Sequence, residues 1–189
     1  MGALGAAGAC RAARAPREPL ALPAVSATDE LLDNNARYAD GFAHGALSSR
    51  PVKPVAVLTC MDARIDPHRM LGLAEGDAHV IRNAGGVAND DAIRSLVVSQ
   101  RKLGTREVIV ILHTDCGMRT FAEDAFAEEL EAETGVRPAW QTTSFHEIEA
   151  DVRRAVARVR SSPFLPHVDA VRGFVYEVET GRLRAVPDA

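Results

Sequence analysis

Two short apolar runs constrain this chain more than any other feature. VAVLTC (55–60) and EVIVILH (107–113) are continuously hydrophobic and do not alternate. That is the pattern of strands covered on both faces of a parallel sheet. A third short strand is expected at AHVIRN (78–83). Between the runs, Asn89 followed by Asp90 and Asp91 reads as a helix N-cap and acidic first turn, and Gly104 after Leu103 as the stop. An earlier helix is expected from Asp29 to about Phe42, with Leu31, Leu32, Ala36 and Phe42 on or near one face. Capping boxes at Thr120/Glu123 and Ser144/Glu147 predict two more. The second of these carries Ile148, Val152, Ala155 and Val159 at helical spacing and is closed by Pro163. RGFVYEVETGRLRAV (172–186) reads as a strand, a Thr-Gly turn and an edge strand. Strands alternating with helices imply a parallel sheet with helices on both faces.

The chain has 189 residues, enough for one domain with a sizeable core, which we assign to residues 29–189. Residues 1–28 are rich in Ala, Arg and Pro. They read as a disordered leader or an upstream start and less well as a transit peptide, which would carry more serine. Cys10 falls in this stretch and receives no role. A net charge of −4 argues against a nucleic-acid surface, and no apolar run approaches the length of a membrane span. The expected location is cytoplasmic. Three cysteines are too few and too scattered for a disulfide framework, which leaves a metal site or a catalytic thiol.

Both central runs end in reactive side chains. The first finishes in Cys60, followed by Asp62 and Arg64; the second finishes in HTDCG (113–117), with His113 and Cys116 in a His-x-x-Cys spacing. In parallel sheets, functional groups gather beyond the carboxyl ends of the strands. If the two strands are neighbours, Cys60 joins His113 and Cys116 in a Cys₂His set, a catalytic zinc arrangement with one position left for water or substrate. Thiolate and imidazole donors favour zinc over magnesium or calcium. Asp62 is near enough to act as a fourth ligand or to accept a hydrogen bond from a zinc-bound water, and Arg64 to hold that carboxylate in a bidentate pair. Each element has an ordinary alternative taken singly: an inert buried thiol, a loop salt bridge, a chance spacing.

CMDAR (60–64), VIRNAGG (80–86) and HTDCGM (113–118), in that order, resemble the β-class carbonic anhydrases, especially the short prokaryotic branch whose first motif reads Cys-Met-Asp-Ala-Arg. The resemblance runs from Asp29 to the C-terminal hairpin. It implies an α/β fold whose mostly parallel sheet has about four strands with an added edge strand, flanked by helices. It also implies zinc held by Cys60, His113 and Cys116, catalysis by Asp62 and Arg64, and a closed state in which Asp62 is the fourth ligand. The implied reaction is hydration of carbon dioxide to bicarbonate by zinc-bound hydroxide. The implied assembly is a homodimer or a multiple of dimers whose amino-terminal helix reaches over the partner. Some relatives in this branch hydrolyse carbonyl sulfide or carbon disulfide at the same kind of site, which is the alternative substrate class. In bicarbonate-inhibited members a Trp lies three residues before the first Cys; here that position is Val57, while Arg82 keeps the matching arginine.

Three rival readings remain. Cys60 and His113 could form a metal-free nucleophile–base pair. The chain could be a non-enzymatic zinc module, although a purely structural site has no use for the Asp62–Arg64 pair. NAGGVAND (83–90) could cradle a phosphate, but it lacks the Gly-x-Gly-x-x-Gly spacing, and the resemblance makes it a tight turn beside the zinc pocket. His68 and His79 lie near the motif segments, and neither is assigned as a proton shuttle.

Overall fold

The run VAVLTC becomes β1 (Val55–Cys60), with Ala56 through Thr59 entirely shielded from solvent. EVIVILH becomes β3 (Glu107–His113) beside it. The computed structural model describes residues 26–144 and 147–189, which fall in two compact units divided after Gly45. Expectations concerning residues 1–25, Cys10 among them, lie outside the described residues.

The first unit holds α1 (Ala27–Asp40). Ser26 caps it reciprocally: its Oγ accepts from the Asp29 N–H, and the Asp29 carboxylate accepts from the Ser26 N–H. The helix therefore starts two residues before the expected Asp29, because Asp29 closes the box from inside the first turn.

In the second unit, β1, β2 (His79–Asn83), β3, β4 (Val171–Glu177) and β5 (Arg182–Ala185) form one sheet in the order β2-β1-β3-β4-β5. The first three pairings are parallel and β4–β5 is antiparallel, a four-stranded parallel sheet with an added edge strand as expected. Register aligns Cys60 with Asn83 and His113 with Tyr176, so the reactive ends share one edge. α3 (Asp90–Leu103) lies against β1 and β2, and α5 (Ile148–Arg160) against β3 and β4. Asn89 caps α3 by accepting from the Ala92 N–H at 2.9 Å, and Gly104 ends it in the left-handed conformation. Leu58, Leu96, Val110, Val152, Val156 and Val159 share the core and are fully or almost fully buried. Burying each contributes about 1.5–3 kcal/mol. α5 sits close on β4 because Gly173 has no side chain: a Cβ there would lie 2.3 Å from a Val152 methyl.

Neither later capping box forms. α4 (Glu123–Thr134) starts after Ala122 with no side-chain cap, because the Thr120 hydroxyl donates to the Gly117 carbonyl at 2.7 Å and closes a short turn over Gly117–Arg119 instead. α5 starts after Glu147, so the glutamate expected inside the first turn is itself the N-cap and cannot reach back to Ser144. The chain remains irregular through residues 141–144, with Thr143 at φ 57. One further helix was not foreseen: α2 (Pro67–Leu71), with the Asp66 carboxylate accepting from the His68 and Arg69 N–H groups and Pro67 at its first position.

Candidate metal centre

Adjacency of β1 and β3 brings Cys60, His113 and Cys116 together. One donor atom from each lies within 4.8 Å of the others, and all three residues are buried. The sulfurs are 4.0 Å apart. The His113 tautomer follows from its neighbour: Nδ1 lies 2.8 Å from the Thr114 carbonyl oxygen, which can only accept, so Nδ1 carries the proton. Nε2 is then a bare lone pair, fully buried and without a hydrogen-bond partner. A buried lone pair beside two thiols is costly unless something electrophilic is bound there. Ring orientation by an Nδ1–H to carbonyl bond is also how metal-ligating histidines are held. The residues therefore fit a thiophilic cation such as zinc.

The thiols point the same way. Cys60 is pushed well below the ordinary thiol range, chiefly by a hydrogen bond from Cys116. Cys116 is pushed up, because its proton is shared with the Cys60 sulfur and the site is buried. The pair loses its first proton easily and resists losing the second, since two thiolates would then face each other in a dry site. A divalent cation removes that resistance.

The β1 exit holds Asp62 and Arg64 as one unit. The guanidinium donates to both carboxylate oxygens, Nε to Oδ1 at 3.0 Å and Nη2 to Oδ2 at 2.8 Å, and the Arg64 backbone N–H adds a bond to Oδ1 at 2.9 Å. The side-chain and backbone bonds from Arg64 hold the Asp62 carboxyl far below the usual carboxylate range. Asp62 Oδ2 stands 3.8 Å from His113 Nε2, at the margin of the donor set. All five residues singled out in the sequence are thus brought together.

Two supports, at Arg82 and Asp115, were not read from the sequence. Arg82, on β2, donates to the Cys60 carbonyl at 2.9 Å and to the Asp62 carbonyl at 2.8 Å, clamping the loop between them. Parallel pairing of β1 with β2 brings it there; the family resemblance marked this arginine but not this clamp. Asp115, between His113 and Cys116, takes two bonds from Arg64. Gly86, at φ +69, lets its turn approach so closely that a Cβ would lie 2.9 Å from the Cys60 nitrogen. That backbone approach is what the NAGG stretch was expected to allow. Asn83 fixes the same turn through two bonds to Val87. His79 is tied to Ser99 and to the Ser49 carbonyl, bonds that serve the scaffold.

Residues 55–183 match the family described as carbonic anhydrase. The chain is 51% identical over 162 residues to β-carbonic anhydrase 1 of Mycobacterium tuberculosis, covering 86% of this chain and 99% of that protein. This chain belongs to the β-carbonic anhydrase family. Among solved structures, the carbonic anhydrase of Streptococcus mutans superposes with a TM-score of 0.80 at 42% identity, covering 87% of this chain and 99% of that one. A carbon disulfide hydrolase of an Acidianus species is 37% identical over 154 residues, covering 68% of this chain and 74% of its own length. β-Carbonic anhydrases use zinc, and the Cys₂His set of this chain suits that ion.

Proposed function

We infer that the chain is a zinc lyase that interconverts carbon dioxide and bicarbonate, with Cys60, His113 and Cys116 holding the ion and Asp62 and Arg64 acting on the reacting water. The observation that carries this is the bare, buried Nε2 of His113 facing two thiols, with an Arg64-held carboxylate 3.8 Å away. When bound, the ion would act as a Lewis acid that lowers the pKa of water toward neutrality. Asp62 Oδ2, held by Arg64, would accept a hydrogen bond from the reacting water and so orient it for attack. Its depressed pKa makes it an orienting acceptor and a poor store of protons, so the released proton passes on to buffer. Arg64 holds the carboxylate in place. Ile65, Ala88 and Met118 are buried in the same apolar core cluster as Cys60 and Cys116, an environment suited to an uncharged gas.

Metal analysis paired with rapid-mixing hydration of carbon dioxide tests this. Zinc near one per chain and chelator-sensitive hydration are expected; a zinc-free protein with full activity would refute it. The carbon disulfide hydrolase relatives keep a second substrate in view, and sulfide release from carbon disulfide or carbonyl sulfide would identify it.

We further propose a single β-carbonic anhydrase-like domain over residues 29–189, assembled as a homodimer or a multiple of dimers in the cytoplasm, with residues 1–28 outside the domain. Support for assembly comes from the family resemblance and from the solvent-exposed Leu31, Leu32, Tyr38 and Phe42 in and just beyond α1, apolar area that association would cover. Among the described residues no helix is long and apolar enough to cross a membrane. Sedimentation showing a fully active monomer would overturn the dimer.

A further inference from the structure

Arg64 makes more bonds than holding Asp62 requires. Nη1 donates to the Asp115 carboxylate at 2.6 Å, and Nη2 donates to the Asp115 backbone carbonyl at 2.8 Å as well as to Asp62. One guanidinium thus joins the loop after β1, which follows Cys60 directly, to the loop after β3, which carries Cys116.

Asp115 itself sits at φ 52, in the left-handed region. The bend there turns the chain from His113 back toward Cys116. A glycine would make the same bend without strain; among residues with side chains, Asp and Asn tolerate it best. What aspartate adds to the bend is its carboxylate, and Arg64 is the ion-pair partner that this carboxylate meets. The Asp115 side chain is otherwise largely open to water, 77% exposed, so packing does not explain it.

The consequence falls on Asp62. Its Oδ2 can face Arg64 or turn toward the donor set 3.8 Å away. A guanidinium held only by Asp62 would be free to move with it, whereas one anchored by Asp115 stays put. We propose that Asp115 is a positioning residue: by anchoring Arg64 from the β3 loop, it keeps Asp62 turned toward Arg64 and off the metal. This rests on the assignment of Asp62, Arg64 and the three donors made above, and assigns Asp115 a role that acts through Arg64 and touches neither substrate nor ion.

Two variants test it in the full-length chain loaded with zinc or cobalt. Asp115→Asn keeps the backbone preference and the side-chain size and removes the charge; Asp115→Gly removes the side chain and the strain. Thiocyanate is the probe, titrated at one fixed pH through the visible spectrum of the cobalt form, because it competes with Asp62 for the metal. Both variants should bind a full complement of metal. Their thiocyanate affinity should fall about threefold, the modest size expected for losing a solvent-exposed ion pair. In an Asp62→Asn background the same substitutions should change the affinity no further. If they weaken thiocyanate equally with and without Asp62, or leave it unchanged with Asp62 present, the proposal is overturned. Hydration by Asp62→Asn alone distinguishes the two levels. Undiminished hydration would remove the underlying assignment, whereas lost hydration with no Asp62-dependent effect of Asp115 would remove only the positioning role.

Discussion

At the entry to β1, Lys53 Nζ meets Asp77 Oδ2 at 2.7 Å; just past its exit, Arg64 Nη2 meets Asp62 Oδ2 at 2.8 Å. Both are acid–base pairs at an end of the same buried strand, and both depress the carboxyl concerned. The entry pair runs alongside backbone bonds from Val52 to Gly76 and from Lys53 to Asp77, so it reinforces a junction already made by the main chain. The exit pair stands beside the cluster of Cys60, His113 and Cys116, the metal-capable group found among the described residues. An acid–base pair in a loop is therefore no sign of chemistry by itself. The bare, buried Nε2 nearby is what separates the exit from the entry.

The two ends of β1 would be alike if the exit were not a metal site. Cys60→Ser, His113→Ala and Cys116→Ser each remove one of three donors, and zinc content and hydration should collapse together. A variant of this set that keeps both full zinc and full turnover would show that its residue is not a ligand.

Arg64→Ala separates a catalytic exit pair from a structural one. Zinc should be retained while hydration falls by roughly two orders of magnitude, on the order of 3 kcal/mol of barrier. Rapid-mixing rates on metal-matched samples measure it, and wild-type rates would make the exit pair as structural as the entry pair.

Asp77→Asn at the entry should leave hydration and zinc content at wild-type levels, with a small loss of thermal stability at neutral pH. Its pH dependence has a definite sign. The Asp77 carboxyl is lowered first by the Lys53 bond and then by the Ala74 N–H, so the folded protein holds this proton less tightly than the unfolded chain does. The resulting stabilisation is present above the unfolded aspartate value of about 3.9 and is lost as pH falls through the lower folded value. Melting curves on the acid side should therefore fall less steeply for Asp77→Asn than for wild type. Parallel curves would mean that the pair contributes nothing.

Much of the exit was legible in the sequence because its signals are set by burial and by strand order. Continuous apolar runs identified β1 and β3, and their reactive last residues converge once the two strands are neighbours. Asn89 and Gly104 were readable because each satisfies its own helix end locally. The failures lie where a local pattern had a local competitor: Thr120 prefers the Gly117 carbonyl to a helix cap. α2 was missed through its brevity, although Asp66-Pro67 is a cap followed by a first-turn proline. Arg82 and Asp115 could not be assigned because their partners, the Cys60 and Asp62 carbonyls and the Arg64 fork, are brought to them only by the sheet.

The most direct test of Asp62 as the catalytic acceptor is hydration by Asp62→Asn at matched zinc content. A neutral amide keeps the size of the side chain and loses the charged acceptor. Zinc near one per chain is expected, with hydration reduced by about two orders of magnitude, equivalent to roughly 3 kcal/mol. Full zinc with wild-type hydration would contradict it, leaving catalysis to the metal alone and the exit pair no different from Lys53 and Asp77.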